Sequence, residues 1–178
     1  MSMDLVEQRQ NRGGEELLAL LKRLDIRYEL YEHEAFFTVE EAESRGLVMP
    51  GLNLKCLFLK DKKTLRFYLV ILEDHRQLDS KHFAKSTGWR RPAFAGEEEL
   101  YEKLGLTPGS VSPLGLVNNQ EHDVVLVLER AVLNAGDQEL LNFHPCRNTA
   151  TMGIRKCDVL RLVEELGNPV VWEREEAR

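Results

Sequence analysis

Three short segments of this chain carry residues whose types and spacing could do chemistry. In the first, Lys55 follows Leu54 and precedes Cys56, Leu57, Phe58 and Leu59. A lysine inside an apolar strand either snorkels its ammonium out to water or points it into a cleft. In the second, Pro108-Gly-Ser-Val-Ser-Pro-Leu-Gly-Leu116, Gly109 and Pro113 fix a loop. Its backbone N–H groups could face a ligand, and preorganised N–H groups hold carbonyls and oxyanions well. A plain turn is the other reading. In the third, Phe143-His-Pro-Cys-Arg-Asn-Thr-Ala-Thr151, small polar groups are dense: His144, Asn148, Thr149 and Thr151. A histidine there either lines a site or is buried and satisfied by backbone carbonyls.

The better-known catalytic signatures are missing. No GxGxxG or GxxxxGK[ST] offers a phosphate loop, and no GxSxG or HExxH is present. The five histidines, His33, His75, His82, His122 and His144, show no metal-ligand spacing, so neither a metal nor a cofactor is expected. Cys56 has no base committed to it and reads as a buried, inert thiol rather than a nucleophile.

Secondary-structure signals show what must position these segments. Leucines at helical spacing predict a helix over 15–24, and alternation predicts a strand over 26–31. Thr38 with Glu41 makes a capping-box pattern that opens a second helix, closed by Gly46. Strands are expected over 54–59 and 65–72 around a polar turn, and the wholly apolar run FYLVIL predicts cover on both faces. Short helices follow over 80–86 and 97–104. Residues 107–116 read as a shaped loop, 124–128 as a strand and 156–166 as a last amphipathic helix. Pro145 breaks the mixed stretch 143–152. Helices and strands are interspersed, and several strand pairs have hairpin-length connections. The expected fold class is therefore α/β of the α+β-like kind: a mixed, largely antiparallel sheet flanked by helices.

The 178 residues, 43% hydrophobic and 30% charged, suit one globular domain spanning 1–178. Its expected core is about 15–167, with frayed ends at 1–14 and 173–178. The longest apolar run is six residues, which excludes a transmembrane helix, and the first fourteen residues hold no secretory h-region. Three cysteines without CxxC spacing fit free thiols in a reducing cytoplasm. Net charge is −6. Residues 52–91, however, hold ten Lys or Arg against four acids, a local +6 that leaves −12 on the other 138 residues. Such a segment either meets a polyanion or is simply a solvated face.

Together the segments resemble a known family, the YbaK/ProX-like prolyl-tRNA editing proteins, whose domain also occurs inserted in some prolyl-tRNA synthetases. The marks are YEH at 31–33 followed by FTVEEA at 37–42, KCLFLKD at 55–61, YLVIL at 68–72, LGLTPGSVSPLGL at 104–116 and FHPCRNTAT at 143–151. One departure is Cys56, where family members usually have Asn. The LTPGSVSPLGL and FHP..NTAT forms look closest to the branch that clears alanine from proline tRNA, rather than cysteine.

The resemblance implies the YbaK fold and a cytoplasmic, metal-independent hydrolase acting on the acceptor end of tRNA(Pro), without membrane or DNA. Prolyl-tRNA synthetase is an implied partner. Lys55 would hold the terminal phosphate or the carbonyl end of the ester, and the backbone around Gly109 the α-amino or carbonyl group and the attacking water. His144, with Asn148 and Thr149, would line the amino-acid pocket, together with Ser110 and Pro113 of the loop. His33, Phe37 and Thr38 would close it, with the stretch 36–38 as a lid over the adenosine. Lys60, Lys62, Lys63 and Arg66 would meet acceptor-stem phosphates. A deacylase for Cys-tRNA(Pro) and a non-catalytic aminoacyl-tRNA or synthetase-binding module are the alternatives.

Overall fold

The structure, a computed structural model, describes residues 10–36, 39–90 and 92–173. In chain order the elements are α1 (Gly14–Arg23), β1 (Tyr28–Glu32), α2 (Val39–Ser44), β2 (Leu52–Asp61) and β3 (Phe67–Glu73). They continue with α3 (Ser80–Thr87), β4 (Pro92–Phe94), α4 (Glu97–Leu104), a 3-10 helix (Pro113–Asn118), β5 (Val124–Leu128) and α5 (Arg130–Asn134). The chain closes with β6 (Leu140–Phe143), β7 (Ala150–Arg155), α6 (Lys156–Leu166) and β8 (Val170–Trp172). Eight strands form one sheet in the order β1-β7-β6-β2-β3-β5-β8, with β4 added against β2. Four pairings are antiparallel and three parallel. A mixed, mostly antiparallel sheet with helices is thus the observed fold class.

β3 sits at the centre for the reason its composition gives. It lies between β2 and β5, and Leu69 and Ile71 enter one apolar cluster while Tyr68, Val70 and Leu72 enter another. Successive side chains of a strand face opposite ways, so an all-apolar strand needs cover on both sides. The larger cluster also takes Leu17 and Leu21 from α1, Leu100 and Leu104 from α4, and Val159, Leu162 and Leu166 from α6. α3 is capped by Asp79, whose carboxylate accepts from the N–H groups of Lys81 and His82, and it ends at Gly88 in the left-handed region.

Several elements differ from expectation. The β2–β3 turn falls at 62–64 rather than 60–63, because Asp61 stays in β2. Its buried carboxylate caps the turn, accepting from the N–H groups of Lys63 and Thr64, and also from Arg90 N–H. The second half of the 107–116 loop is the start of a 3-10 helix, opened by Ser112. β4, α5, β6, β7 and β8 are short elements whose periodicity is too brief to read. The expectation that 10–14 fray is corrected as well. Gly14 begins α1, Arg12 N–H donates to Gly105 O, and Asn11 is bonded to the 107–110 loop. Thr38, the expected cap of α2, and Phe37 lie outside the described residues.

Candidate functional site

A seam in the sheet makes the site. β2 and β6 run parallel for only two rungs, Leu52↔Leu141 and Asn53↔Asn142. Beyond them β2 continues alongside β3, whereas β6 ends at Phe143. A cavity of about 240 Å³ lies at this divergence. Asn53 to Cys56 of β2 border it, as do Asn142 to His144 at the end of β6 and Gly109 and Val111 of the loop. Gly51 lets β2 enter the seam: its φ is +102°, and a Cβ there would lie 2.3 Å from Leu140 O. Buried Asn142 then locks the seam, its Nδ2 donating to Pro50 O and to Asn53 Oδ1, both at 3.0 Å.

Lys55 and His144 each follow one of these two asparagines by two residues, so each stands one pleat beyond the locked rung. Lys55 is half-buried and has no carboxylate or other hydrogen-bond acceptor among the described residues. A cation in that position is free to meet an anionic or carbonyl ligand. Gly109 adopts φ +87°, a conformation that suits glycine. The loop around it is held by Asn11, whose Oδ1 accepts from Thr107 N–H at 2.7 Å and whose Nδ2 donates to Ser110 Oγ at 2.9 Å. Gly109 and Val111 both border the cavity, and among the described residues their N–H groups have no acceptor.

Two histidines face the same space, with ring centroids 6.3 Å apart. His144 Nδ1 donates to Ala150 O at 2.9 Å, so the neutral ring keeps an unprotonated Nε2. Burial holds its pKa below the ordinary histidine value, and nearby His33 adds to the effect against the pull of the Ala150 carbonyl. His33 Nδ1 donates to Glu34 O at 2.7 Å, and its Nε2 accepts from Thr151 Oγ1 at 2.8 Å. Its ring stacks on Phe36 at 4.8 Å. The β1 end and the 143–151 loop are tied by His33 N–H to Thr149 O, and by a two-pronged pair of Arg147 with Glu32 at 2.6 and 2.8 Å. Cys56 also borders the cavity, but burial pushes its thiol pKa up, so it stays protonated and is a poor nucleophile.

The structure therefore brings Lys55, Gly109, His33 and His144 to one cavity and leaves other expected residues outside it. Ser110 is buried, with its hydroxyl accepting from Asn11. Pro113 is buried at the start of the 3-10 helix, where it shapes the loop from behind. Thr149 is exposed and its hydroxyl accepts from Arg147; Asn148 is half-buried beside it, and neither lines the cavity. Phe37 and Thr38 lie outside the described residues, so their expected roles are not placed. Lys60, Lys62, Lys63 and Arg66 sit at the far end of the β2–β3 hairpin, about 23 Å along the strand from Lys55 at Lys62. Lys60 is also spent there on Glu99. Lys62, Lys63 and Arg66 are exposed.

Asn53, Asp74, Asn142 and Thr151 line the cavity without having been expected as site residues. Thr151 belongs to a segment already marked by its polar density. The others are ordinary strand-end residues in sequence, and only the pairing of β2 with β3 and β6 places them. Among the described residues no group of three or more His, Cys, Asp or Glu could hold a metal ion. No helix among them is long and apolar enough to cross a membrane.

The profile of the aminoacyl-tRNA editing domain matches residues 33–162. The chain is 37% identical over 171 residues to prolyl-tRNA synthetase associated domain-containing protein 1 of Danio rerio, covering 91% of this chain and 92% of that one. It is 32% identical over 152 residues to the prolyl-tRNA editing protein ProX of Acetoanaerobium sticklandii, covering 85% and 91%. A solved structure assigned provisionally as a trans-editing enzyme for prolyl-tRNA synthetase superposes with a TM-score of 0.66 at 19% identity, covering 92% and 98%. That last likeness concerns the fold.

Proposed function

Because this chain belongs to the aminoacyl-tRNA editing domain family, we propose that it is a trans-editing deacylase that hydrolyses the ester joining alanine to the 3′ end of tRNA(Pro). The observation that carries this reading is the composition of the cavity. It offers a cation without a counter-ion among the described residues (Lys55), the N–H groups of Gly109 and Val111, and a neutral imidazole, while its thiol is suppressed. That set suits an activated ester attacked by water, and it does not suit a covalent acyl-enzyme.

The ester is already reactive, and its leaving oxygen neighbours a 2′-hydroxyl. The protein then needs to hold the carbonyl, stabilise the charge that develops on its oxygen and position a water. Lys55 and the loop N–H groups serve the oxygen. His144 Nε2 is an acceptor within the cavity and bounds the amino-acid pocket. When water attacks, its oxygen bonds to the carbonyl carbon, the ester C–O bond breaks and the ribose oxygen takes up a proton. The products are free alanine and uncharged tRNA. A cavity of about 240 Å³ is below the usual 300–1,000 Å³ of small-molecule pockets, in keeping with a very small side chain. Alanine is smaller than proline, so a synthetase cannot fully exclude it, and a second, smaller pocket can exclude proline. The partner that would present the mischarged tRNA is prolyl-tRNA synthetase.

Purified protein incubated with labelled Ala-, Cys- and Pro-tRNA(Pro) tests the proposal. Release of alanine well ahead of cysteine and proline is the expected result. Preferential release of cysteine would reassign the substrate, and tRNA binding without release would make the protein a non-catalytic module.

A further inference from the structure

Asp74 is a charge in the cavity that the mechanism above does not use. It follows β3 by one residue, and its N–H donates to Asn53 O at 3.2 Å, which extends the β2–β3 ladder past the strand. Lys55 pairs with Leu72, and Asp74 lies two residues beyond Leu72. Lys55 and Asp74 are therefore diagonal neighbours across the hairpin, with about 7–8 Å between them by strand geometry. Both line the cavity, and they do not close an ion pair with each other. The Asp74 side chain is only 5% exposed. Among the described residues its one ion-pair partner is the exposed His75, whose Nε2 lies 3.4 Å from Oδ1 and 4.0 Å from Glu43 Oε1.

A buried carboxylate left without a strong donor is costly. Such a carboxylate on a cavity that also holds a cation without a partner among the described residues describes a ligand with opposite charges at its two ends. An aminoacyl ester is such a ligand. Its α-ammonium is a donor-only cation, and a few ångströms away its carbonyl oxygen becomes anionic during hydrolysis.

We infer that Asp74 binds the α-ammonium group of the aminoacyl ester, opposite Lys55, and so restricts the site to esters of amino acids with a free amine. This assignment rests on the deacylase reading for the identity of the ligand. A charge-assisted hydrogen bond in a dry site discriminates strongly against a ligand that cannot donate it. N-acylated esters, such as those of peptidyl-tRNA, would leave Asp74 without a partner and be rejected.

The test uses two non-hydrolysable probes, 3′-alanylamino-3′-deoxyadenosine and its N-acetyl form, titrated calorimetrically into the intact protein and into Asp74→Asn. The wild type should bind the free-amine probe at least about tenfold more tightly than the acetylated one. D74N should bring the two within about twofold by weakening the amine probe alone. If D74N does not fold, Asp74→Ser serves, and the wild-type preference alone already decides against the idea when it is absent. Equal binding of both probes by the wild type, binding of neither, or an unchanged preference in a folded D74N would each overturn the assignment. The deacylase reading fails separately: a wild type that shows the Asp74-dependent preference but leaves Ala-tRNA(Pro) intact would refute hydrolysis and keep the ammonium site.

Discussion

Replacing Lys55 with methionine removes one charge and keeps most of the side-chain volume, so it isolates the cation. Lys55 is half-buried, without an ion pair or hydrogen bond among the described residues, so its charge holds nothing else in place. The stability change should stay within about 0.5 kcal/mol, typical of a substitution that breaks no network. For a chain of this length that is a shift in Tm of roughly 1–2 °C. The catalytic effect is set by what the ammonium would do. A unit charge about 4 Å from a developing oxyanion, at the effective dielectric of a partly exposed site, contributes up to about 4 kcal/mol. A tenfold loss, the smallest effect expected of a direct contact with the reacting group, corresponds to about 1.4 kcal/mol. K55M should therefore lower kcat/KM on Ala-tRNA(Pro) by ten- to about a thousandfold. Repeating the assay on 3′-alanyl-adenosine, which has no 5′ phosphate, locates the contact. A loss that persists places the ammonium at the ester, and a loss confined to tRNA places it at the terminal phosphate. Turnover within about threefold of wild type on both substrates would refute the role of the cation. A fall in Tm of many degrees would show that the lysine is structural.

His144 offers two further tests. His144→Ala enlarges the pocket and should shift the ratio of alanine to proline release by ten- to a hundredfold, since about 1–3 kcal/mol of shape separates such small side chains; a destabilised variant with an unchanged ratio would sink the sieve role. The same histidine sets a pH dependence. Its folded-state pKa lies below the ordinary value, so as pH falls through about 6.5 the unfolded chain takes up a proton that the folded protein does not. Stability should fall below about pH 6.5 by up to about 1.4 kcal/mol per unit and level off once the folded pKa is passed. Denaturant melts of His144→Gln should show a flatter profile, and an identical slope would assign the effect to another group. At the hairpin tip, reversing Lys62, Lys63 and Arg66 to Glu should weaken tRNA binding and reduce its log–log salt slope by about two to three. Hydrolysis of 3′-alanyl-adenosine should not change, and equal damage to both substrates would mark the tip as structural.

Local chemistry was enough to read much of this protein from its sequence. α4 and α6 are legible because each has its apolar spacing, its start and its terminating glycine within one stretch of chain. β3 is legible because a wholly apolar run has only one comfortable place, the middle of a covered sheet. The segments holding Lys55, Gly109 and His144 stand out because a lysine among leucines, a Gly/Pro loop and a polar cluster around a histidine each break the surrounding pattern. The sequence could not show how far apart these segments are. Lys55 and the basic tip belong to one continuous run, yet strand β2 holds them about 23 Å apart. Asn11 looks like part of a loose end, yet it ties down the glycine loop. Asp74 and Asn142 are unremarkable where they stand in the chain. The antiparallel register of β2 with β3 and the two parallel rungs of β2 with β6 bring them to Lys55 and His144. Such pairings depend on contacts between residues some 20 to 90 positions apart. Periodicity and capping act within a turn or a strand, so they fix which elements form, and only the packed sheet decides which of their ends meet.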